Sequence, residues 1–460
     1  MNQYFGNKEF YKKILFVALP LIIQKLITSF VNMLDNIMVG QTGTLAMSGV
    51  SVANQIITIF NLAVFGSISA ASIFGAQYAG KEDHDGVRYC LRYKILIELF
   101  FSIVFIAIFY FFGNTLVGLF MNPETDTLSN IQSTTTYALN YMNIMLVGFI
   151  PFSLSQAISS SMSENGETRL PMISSLTGVV VNFVGNSILI FGLFGFPALG
   201  PIGAAIATVI SRFAELGVNI FFAYRNKERF VFYNDVFTDF SIPTSLVKDI
   251  TLKGLPLVLN EVLWSTGLAM ITQCYSTRGI DALAAYNISS TITNLFFVFN
   301  YAMGESISIL VGQKLGSGNI EEAVDTDRKM MVFTVILAGL LGIVLIVTAW
   351  IFPKLYQTSD SVRDTATMML RFGGATMWIS AIYNASYFTL RCGGKTILTM
   401  LFDSIGTIFV SYPIALCLAR FTTLPVEYMY LVVTLVDLYK VILGLILVHK
   451  RIWVNNLVGE

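Results

Sequence analysis

Twelve times along its 460 residues the chain turns apolar for long enough to cross a bilayer. A hydrocarbon core of about 30 Å takes roughly 20 helical residues. The runs cover 14–40, 50–78, 95–120, 136–162, 170–194, 201–224, 252–277, 284–313, 330–353, 366–390, 397–419 and 426–448. Inside lipid no water reaches the backbone, so each such segment must satisfy its own N–H and C=O groups, and the α-helix does that. The expected fold is an all-α polytopic membrane protein. Composition agrees: 12% of residues are charged and 55% hydrophobic, against about 25% charged in a soluble domain. The net charge is zero, so nothing favours nucleic acid as a partner. Cys90, Cys274, Cys392 and Cys417 show neither metal-ligand spacing nor a disulfide framework. The opening MNQYFGNKEFYKK is polar, and the run after it far exceeds a signal-peptide core. The first span is therefore expected to serve as its own insertion signal.

An even number of spans puts both termini on one side, and basic residues say which. On that side fall Lys8, Lys12, Lys13, Lys81, Arg88, Arg92, Lys94, Arg169, the six from Arg212 to Lys253, Lys314, Arg328, Lys329, Arg391, Lys395, Lys450 and Arg451. That is about 21 of the 28 lysines and arginines. The opposite side holds Arg278, Lys354, Arg363 and Arg420. The expectation is a multi-pass, monomeric protein of the plasma (inner) membrane with both termini cytoplasmic.

The chain also repeats. A shift of 236 pairs ALPL at 18–21 with GLPL at 254–257, and Ser29 with Ser265, Gly43 with Gly279, Ala46 with Ala282, Ser72 with Ser308, Gln77 with Gln313 and Gly80 with Gly316. Further on, a shift of 228 pairs Gly166 with Gly394, Thr168 with Thr396 and Gly178 with Gly406. Each unit has six spans, so both enter the membrane in the same direction. That implies a pseudo-twofold axis along the membrane normal and a site between the halves near midplane. The spans thus group as twelve transmembrane helices in two pseudo-twofold-related six-helix lobes, 1–224 and 251–460. The charged segment 225–250 is the cytoplasmic linker.

Charges inside the spans are where function is sought. An ionised side chain at membrane depth costs at least about 2.5–3.5 kcal/mol and so should face protein or water. The first span carries Pro20, Lys25 and Asp35, with Asn32 and Asn36 within a turn of the aspartate. Asp35 either lines an internal cavity or snorkels to the outer surface. Asn182 and Asn186, four apart, share a helix face, and Thr208 offers a hydroxyl. These amides either serve a site or simply bond between helices. Glu261, Glu305 and Asp403 are further acids at membrane depth, able to attract a cation, shuttle a proton or pair with a neighbour. Asp437 and Lys440, three apart, are expected to satisfy each other, and Arg371 to snorkel. Pro20 and Pro256 match in the repeat, as do Phe60 and Phe296, whose rings could stack on a flat cation or only pack.

Several stretches resemble the multidrug and toxic compound extrusion (MATE) family of transporters. They are ALPL with VNMLDNIMVGQTG, ASIFGAQYAGKED, SENGETRLPM, the run from VVVNFVGNSILIFG to GPIGAAIATVISR, GLPLVLNEVLWSTG, VGQKLGSGN and LRCGGKT. The likeness covers essentially the whole chain. It implies a two-lobe carrier that exports amphipathic or cationic organic molecules against sodium or protons, with no other cofactor. It further implies that Asp35 is the coupling-ion and proton site of the first lobe, with Asn182, Thr208, Asn186 and Asn32 around it. Many relatives have a second aspartate where this chain has Asn186, which leaves one negative charge. Removal from water favours the neutral form of a carboxyl, so Asp35 could take a proton; kept ionised, it could hold Na+ through oxygen ligands. Some relatives place an acid one turn beyond Glu261, at Trp264 here, and another on span 10, where this chain has Ser380, Tyr383 and Asn384. Lys25, Glu261, Glu305, Asn384 and Asp403 are therefore the candidates for substrate cavity or gating.

No phosphate-binding glycine loop followed by Lys-Ser or Lys-Thr is present at the proper spacing, so an ion gradient would supply the energy. An enzyme is disfavoured: the only histidines, His84 and His449, lie far apart with no nucleophile or metal constellation. The alternative is a flippase for a lipid-linked saccharide precursor, which would want a basic cavity rather than these acids. The repeat pairs Lys25 with Glu261, and the two could meet as a gating or charge-neutralising pair, or each could find its own neighbours. Charge exchange separates the readings. If they meet, Lys25→Glu combined with Glu261→Lys transports better than either single variant, because removing one partner of a buried pair is the costly step; no recovery in the double variant removes the idea.

Overall fold

The structure, a computed structural model, describes residues 4–121 and 127–459. The helices are α1 (Lys8–Gly40), α2 (Thr44–Gly80), α3 (His84–Gly118), α4 (Leu128–Glu164), α5 (Arg169–Phe191) and α6 (Pro201–Arg225). They continue as α7 (Thr244–Ser276), α8 (Ile280–Gly316), α9 (Ile320–Thr348), α10 (Asp360–Cys392), α11 (Thr396–Phe421) and α12 (Val426–His449). No strand occurs among the described residues. The repeat reappears as geometry. α7 and α8 begin and end 236 residues after α1 and α2, and α9 begins 236 after α3. The matched glycines Gly43 and Gly279, ahead of α2 and α8, both have strongly positive φ (121° and 109°), a conformation that a Cβ opposes. Both α1 and α7 run unbroken through their prolines.

Eleven of the twelve helices are long and apolar enough to cross a membrane among the described residues. The exception is α10, which is 33 residues long but carries four Thr, three Ser and five charged residues. Its last turns, from Asn384 to Cys392, are buried without interruption, and it packs against α8, α9, α11 and α12. A helix enclosed by other helices need not be apolar all round. Two helices depart from α geometry. α11 passes through π-helical turns at Leu401–Ile405 and Thr407–Ser411, and α12 is interrupted at Asp437.

By contacts the chain divides into two compact units. The first comprises Met1–Ile22, Ala76–Asp83 and Asp249–Glu460; the second comprises Ile23–Gly75 and His84–Lys248. In the first unit a core around Ile14, Ala18, Met303, Ile307, Leu315 and Phe388 gathers α1, α8 and α10. Here the ends of α2 and α8 meet at repeat-matched glycines. A Cβ on Gly80 would sit 1.8 Å from the Gln313 carbonyl oxygen, and one on Gly316 1.8 Å from that of Gln77. Gln77 also anchors the C-terminal tail: its Nε2 donates to the carbonyls of Cys392 (3.0 Å) and Asn455 (3.2 Å), and Leu457 N donates to its Oε1 (2.7 Å).

In the second unit the linker is not a loose strap. Phe230, Phe232 and Val236 are buried, and the buried Arg92 of α3 donates to the carbonyls of Asp235 (2.5 Å), Val236 (3.1 Å) and Ser241 (3.1 Å). The core of this unit includes Phe60, fully buried and stacked on Phe149 with centroids 4.1 Å apart. Of the two expectations for that ring, packing is the one realised.

The glycine crossing predicts a contrast. Gly80→Ala and Gly316→Ala push a methyl into backbone that cannot turn aside, an overpacking costing about 1–3 kcal/mol or more. Gly339→Ala, within α9 and with nothing inside 4 Å of its Cβ, should be neutral or stabilising by up to about 1 kcal/mol. Thermal melting in detergent compares the three.

Candidate functional site

Asp35 sits half-buried five residues before the end of α1. α5 presents Asn182 and Asn186 on one face, both buried, and α6 presents Thr208. The four side chains meet. Asn186 Nδ2 donates to Asp35 Oδ1 at 2.6 Å. With its amide nitrogen turned toward the carboxylate, Asn182 lies 3.0 Å from both Asp35 oxygens and accepts from Thr208 Oγ1 at 3.0 Å; amide orientation is fixed by such partners. Tyr141 of α4, wholly inside the unit, faces Thr208 and Asp35. One carboxylate is thus held by two neutral amides from a neighbouring helix. Asn32, expected in the group, is exposed and makes no hydrogen bond to it.

A second polar layer adjoins this one. Arg212, counted from sequence among the cytoplasmic bases, lies in the middle of α6. Its guanidinium sits 4.3 Å over the Phe152 ring and 3.6 Å from Glu215, close enough to act on Asp35 electrostatically. Placing it at the surface was an error, since it lies well inside the run 201–224. Glu215 was missed altogether, although an Arg and a Glu three apart in one apolar run is a legible signal. Further in, Lys94 of α3, with no exposure, pairs with Glu164 (2.5 Å) and donates to Ser160 and Ser161, each at 3.0 Å. Glu98, also fully buried, accepts from Ser67 at 2.5 Å.

The remaining candidates lie apart from this group. Lys25 is half-buried on α1, and Glu305 half-buried on α8. Glu261 of α7 is buried near Arg391 and Asp403. Asn384 turns its amide back to the Ser380 carbonyl at 3.1 Å. Asp403 lies 3.3 Å from Lys440, which is also 3.6 Å from Asp437; the expected Asp437–Lys440 pair is therefore one side of a triad. Counting the helix-interior groups now in view, Asp35, Glu98, Glu215, Glu261, Glu305, Asp403 and Asp437 still outnumber Lys25, Lys94, Arg212 and Lys440.

Twelve long helices among the described residues, eleven of them long and apolar enough to cross a membrane, define a polytopic membrane protein. The MatE family profile matches residues 20–188 and 256–417, and the chain belongs to this family of transporters, not enzymes. It is 23% identical over 420 residues to the probable multidrug resistance protein NorM of Thermotoga maritima, covering 90% of this chain and 86% of that one. It is 24% identical to the NorM of Oceanobacillus iheyensis, covering 91% of each. Among solved structures, an outward-facing multidrug resistance MATE transporter of the MOP superfamily superposes with a TM-score of 0.86 at 18% identity, over 98% of this chain and 97% of that one. A Pyrococcus furiosus MOP-superfamily transporter gives 0.83 at 18%, over 98% and 97%.

The hydrogen bonds separate members from bystanders. Asn186→Ala strips Asp35 of a donor and should destabilise by about 1–3 kcal/mol. Asn32→Ala, which breaks no bond, should cost less than about 0.5 kcal/mol. Equal losses in melting experiments would show that Asn186 is not specifically engaged.

Proposed function

We propose that the protein is a cation-coupled antiporter that exports amphipathic or cationic organic compounds by alternating access, with the coupling ion carried at Asp35. The observation that carries this reading is the carboxylate on α1 held by two α5 amides and adjoined by Thr208 and Tyr141. The names of the relatives, multidrug resistance proteins, support the class of cargo. So does the excess of acids over bases at mid-helix, which suits cations better than the pyrophosphate of a lipid-linked sugar.

The donor set bears on the ion. Asp35 is the single carboxylate of its group, and no cluster of three or more His, Cys, Asp or Glu able to hold a metal occurs among the described residues. One negative charge with amide and hydroxyl oxygens fits a proton or a sodium ion, not a divalent cation. The protein works as a monomer in the plasma (inner) membrane with both termini in the cytoplasm, the side to which the basic loops point.

Ethidium or norfloxacin efflux from vesicles, under separately imposed sodium and pH gradients, tests the proposal. The gradient that drives efflux names the ion. Coupling free energies between two sites run about 1–3 kcal/mol, or 5- to 150-fold, so Asp35→Asn should cut gradient-driven efflux at least about fivefold. Undiminished coupled transport in that variant would place the ion elsewhere.

A further inference from the structure

The unit that lacks Asp35 has its own buried polar centre, and it is not a repeat copy of the first. Shifts of 236 and 228 carry Asp35 to Ile271, Asn182 to Val410 and Asn186 to Ile414, all apolar. The polar centre lies instead where α11 and α12 leave α geometry. Lys440, 3% exposed, donates to Thr407 Oγ1 at 2.9 Å and lies 3.3 Å from Asp403 Oδ1 and 3.6 Å from Asp437 Oδ1. Its ammonium sits 5.2 Å from the Tyr383 ring centroid. Asp403 Oδ2 accepts from Asn260 Nδ2 at 3.2 Å, and Asp437 Oδ1 accepts from Ser411 at 3.3 Å. Two carboxylates share one ammonium, so the ionised triad carries a net negative charge; the Lys440 and Asp403 side chains are 3% and 12% exposed, and that of Asp437 is 26% exposed.

The surroundings do not remove that charge. From α7 come Glu261 and Tyr275; from α10, Tyr383, Tyr387 and Arg391; from α12, Tyr439; and Tyr301 of α8 faces Asp403. Glu261 and Arg391 offset each other, and the phenols are neutral. Asn260, 2% exposed and bonded to Asp403, leaves its Oδ1 with no partner, an acceptor for which the triad supplies no proton. The two acids are not equally served. Asp403 has a donor on each oxygen (Lys440 at 3.3 Å and Asn260 at 3.2 Å), whereas Ser411 (3.3 Å) and Lys440 (3.6 Å) both meet Asp437 at Oδ1.

We propose that the Asp403–Lys440–Asp437 triad is a second proton-binding site, with Asp403 and Lys440 kept as an ion pair and Asp437 the group that takes up the proton. The step is a transfer from hydronium to a carboxylate oxygen of Asp437, leaving water and a neutral carboxyl; nothing is oxidised or reduced. It deepens the ion-coupled reading above by giving the second unit a proton of its own. Buried ionisable groups in membrane helices commonly mark such relays, and π-helical turns often accompany functional positions.

Infrared difference spectra of the purified full-length protein across its folded pH range test this without any transport assay. Subtracting Asp437→Asn from wild type should leave a protonated-carboxyl band that fades as pH rises. Asp437→Glu should restore the band, shifted in frequency. Lys440→Met leaves two carboxylates unopposed, so its carboxyl band should persist to higher pH than in wild type. Thermal melting checks that each variant is folded; if Asp437→Asn is not, the Lys440→Met and Asp437→Glu spectra decide alone. A subtraction showing only ionised carboxylate at every pH, or a Lys440→Met titration identical to wild type, overturns the proposal. Because Asp35→Asn spectra are recorded alongside, failure here is distinct from failure of the Asp35 site.

Discussion

An ionised side chain within a membrane span has to bring its own solvent, and most of the interior follows from that requirement. Water is absent, so the solvent is another side chain, supplied by a second helix at a fixed height. Asn186 does this for Asp35, Glu164 with two serines for Lys94, and Asp403 with Thr407 for Lys440. Even a carboxyl without a cation obeys the rule: buried Asp327 on α9 accepts from Thr389 of α10 at 2.5 Å. Each pairing fixes the relative height and rotation of two helices. Bulk apolar contact does so less, because lipid tails solvate leucine as well as another helix does, whereas close approach at small residues such as Gly80 and Gly316 adds its own constraint. Polar pairs and glycine crossings together specify the packing, and the apolar surface admits it to the membrane.

Within one chain the two halves keep what backbone geometry demands and diverge where chemistry is at stake. Gly80 and Gly316 are matched because each accepts a carbonyl where a methyl would stand, and Gly43 and Gly279 because both adopt positive φ. No such constraint acts on Asp35, whose counterpart Ile271 belongs to an apolar core with Cys274, Tyr275 and Ala285. Gln77 and Gln313 show a mixture. Their carbonyls make the same glycine contact, but the Gln77 side chain holds the C-terminal tail.

Fold class and repeat were legible because both are written in local pattern: apolar runs of spanning length, and a constant shift that the helix boundaries reproduce. The Asp35 group was legible for a different reason. An acid in a span is rare enough to be noticed, and two asparagines at i and i+4 share a face whatever they contact. What escaped was anything whose meaning depended on depth. Lys94, just ahead of a run, and Arg212, inside one, both count as cytoplasmic bases by sequence, yet the first has no exposure and the second sits mid-helix. Asp437 and Lys440 could be paired from spacing alone, but their third member, Asp403, comes from α11, and no local pattern announces an interhelical crossing. The polarity of α10 was likewise invisible as enclosure, since hydropathy reports composition and not which neighbours cover a helix.

The family resemblance leads one to expect a second acid at 186, and the geometry supplies a reason for the asparagine there. A carboxylate facing Asp35 at 2.6 Å would place two like charges together and would hold only if one were neutral. An amide has a donor at one end and an acceptor at the other in nearly the same shape. Toward the Asp35 carboxylate the two amides turn their nitrogens. Toward a sodium ion, or toward an Asp35 that has become a proton donor, a half-turn about the last torsion presents oxygens instead. Under the function proposed above, occupancy is then read as the orientation of two side chains on α5, whose other neighbour is Thr208 of α6. Reorienting Asn182 exchanges its partner role at Thr208 from acceptor to donor. The hydroxyl answers by rotating, and its own bond to the Ala204 carbonyl at 2.9 Å is what it gives up or regains. Under the proposed function, a chain of small rotations would connect an ion carried at Asp35 to the backbone of α6, with no charge displaced except the ion itself.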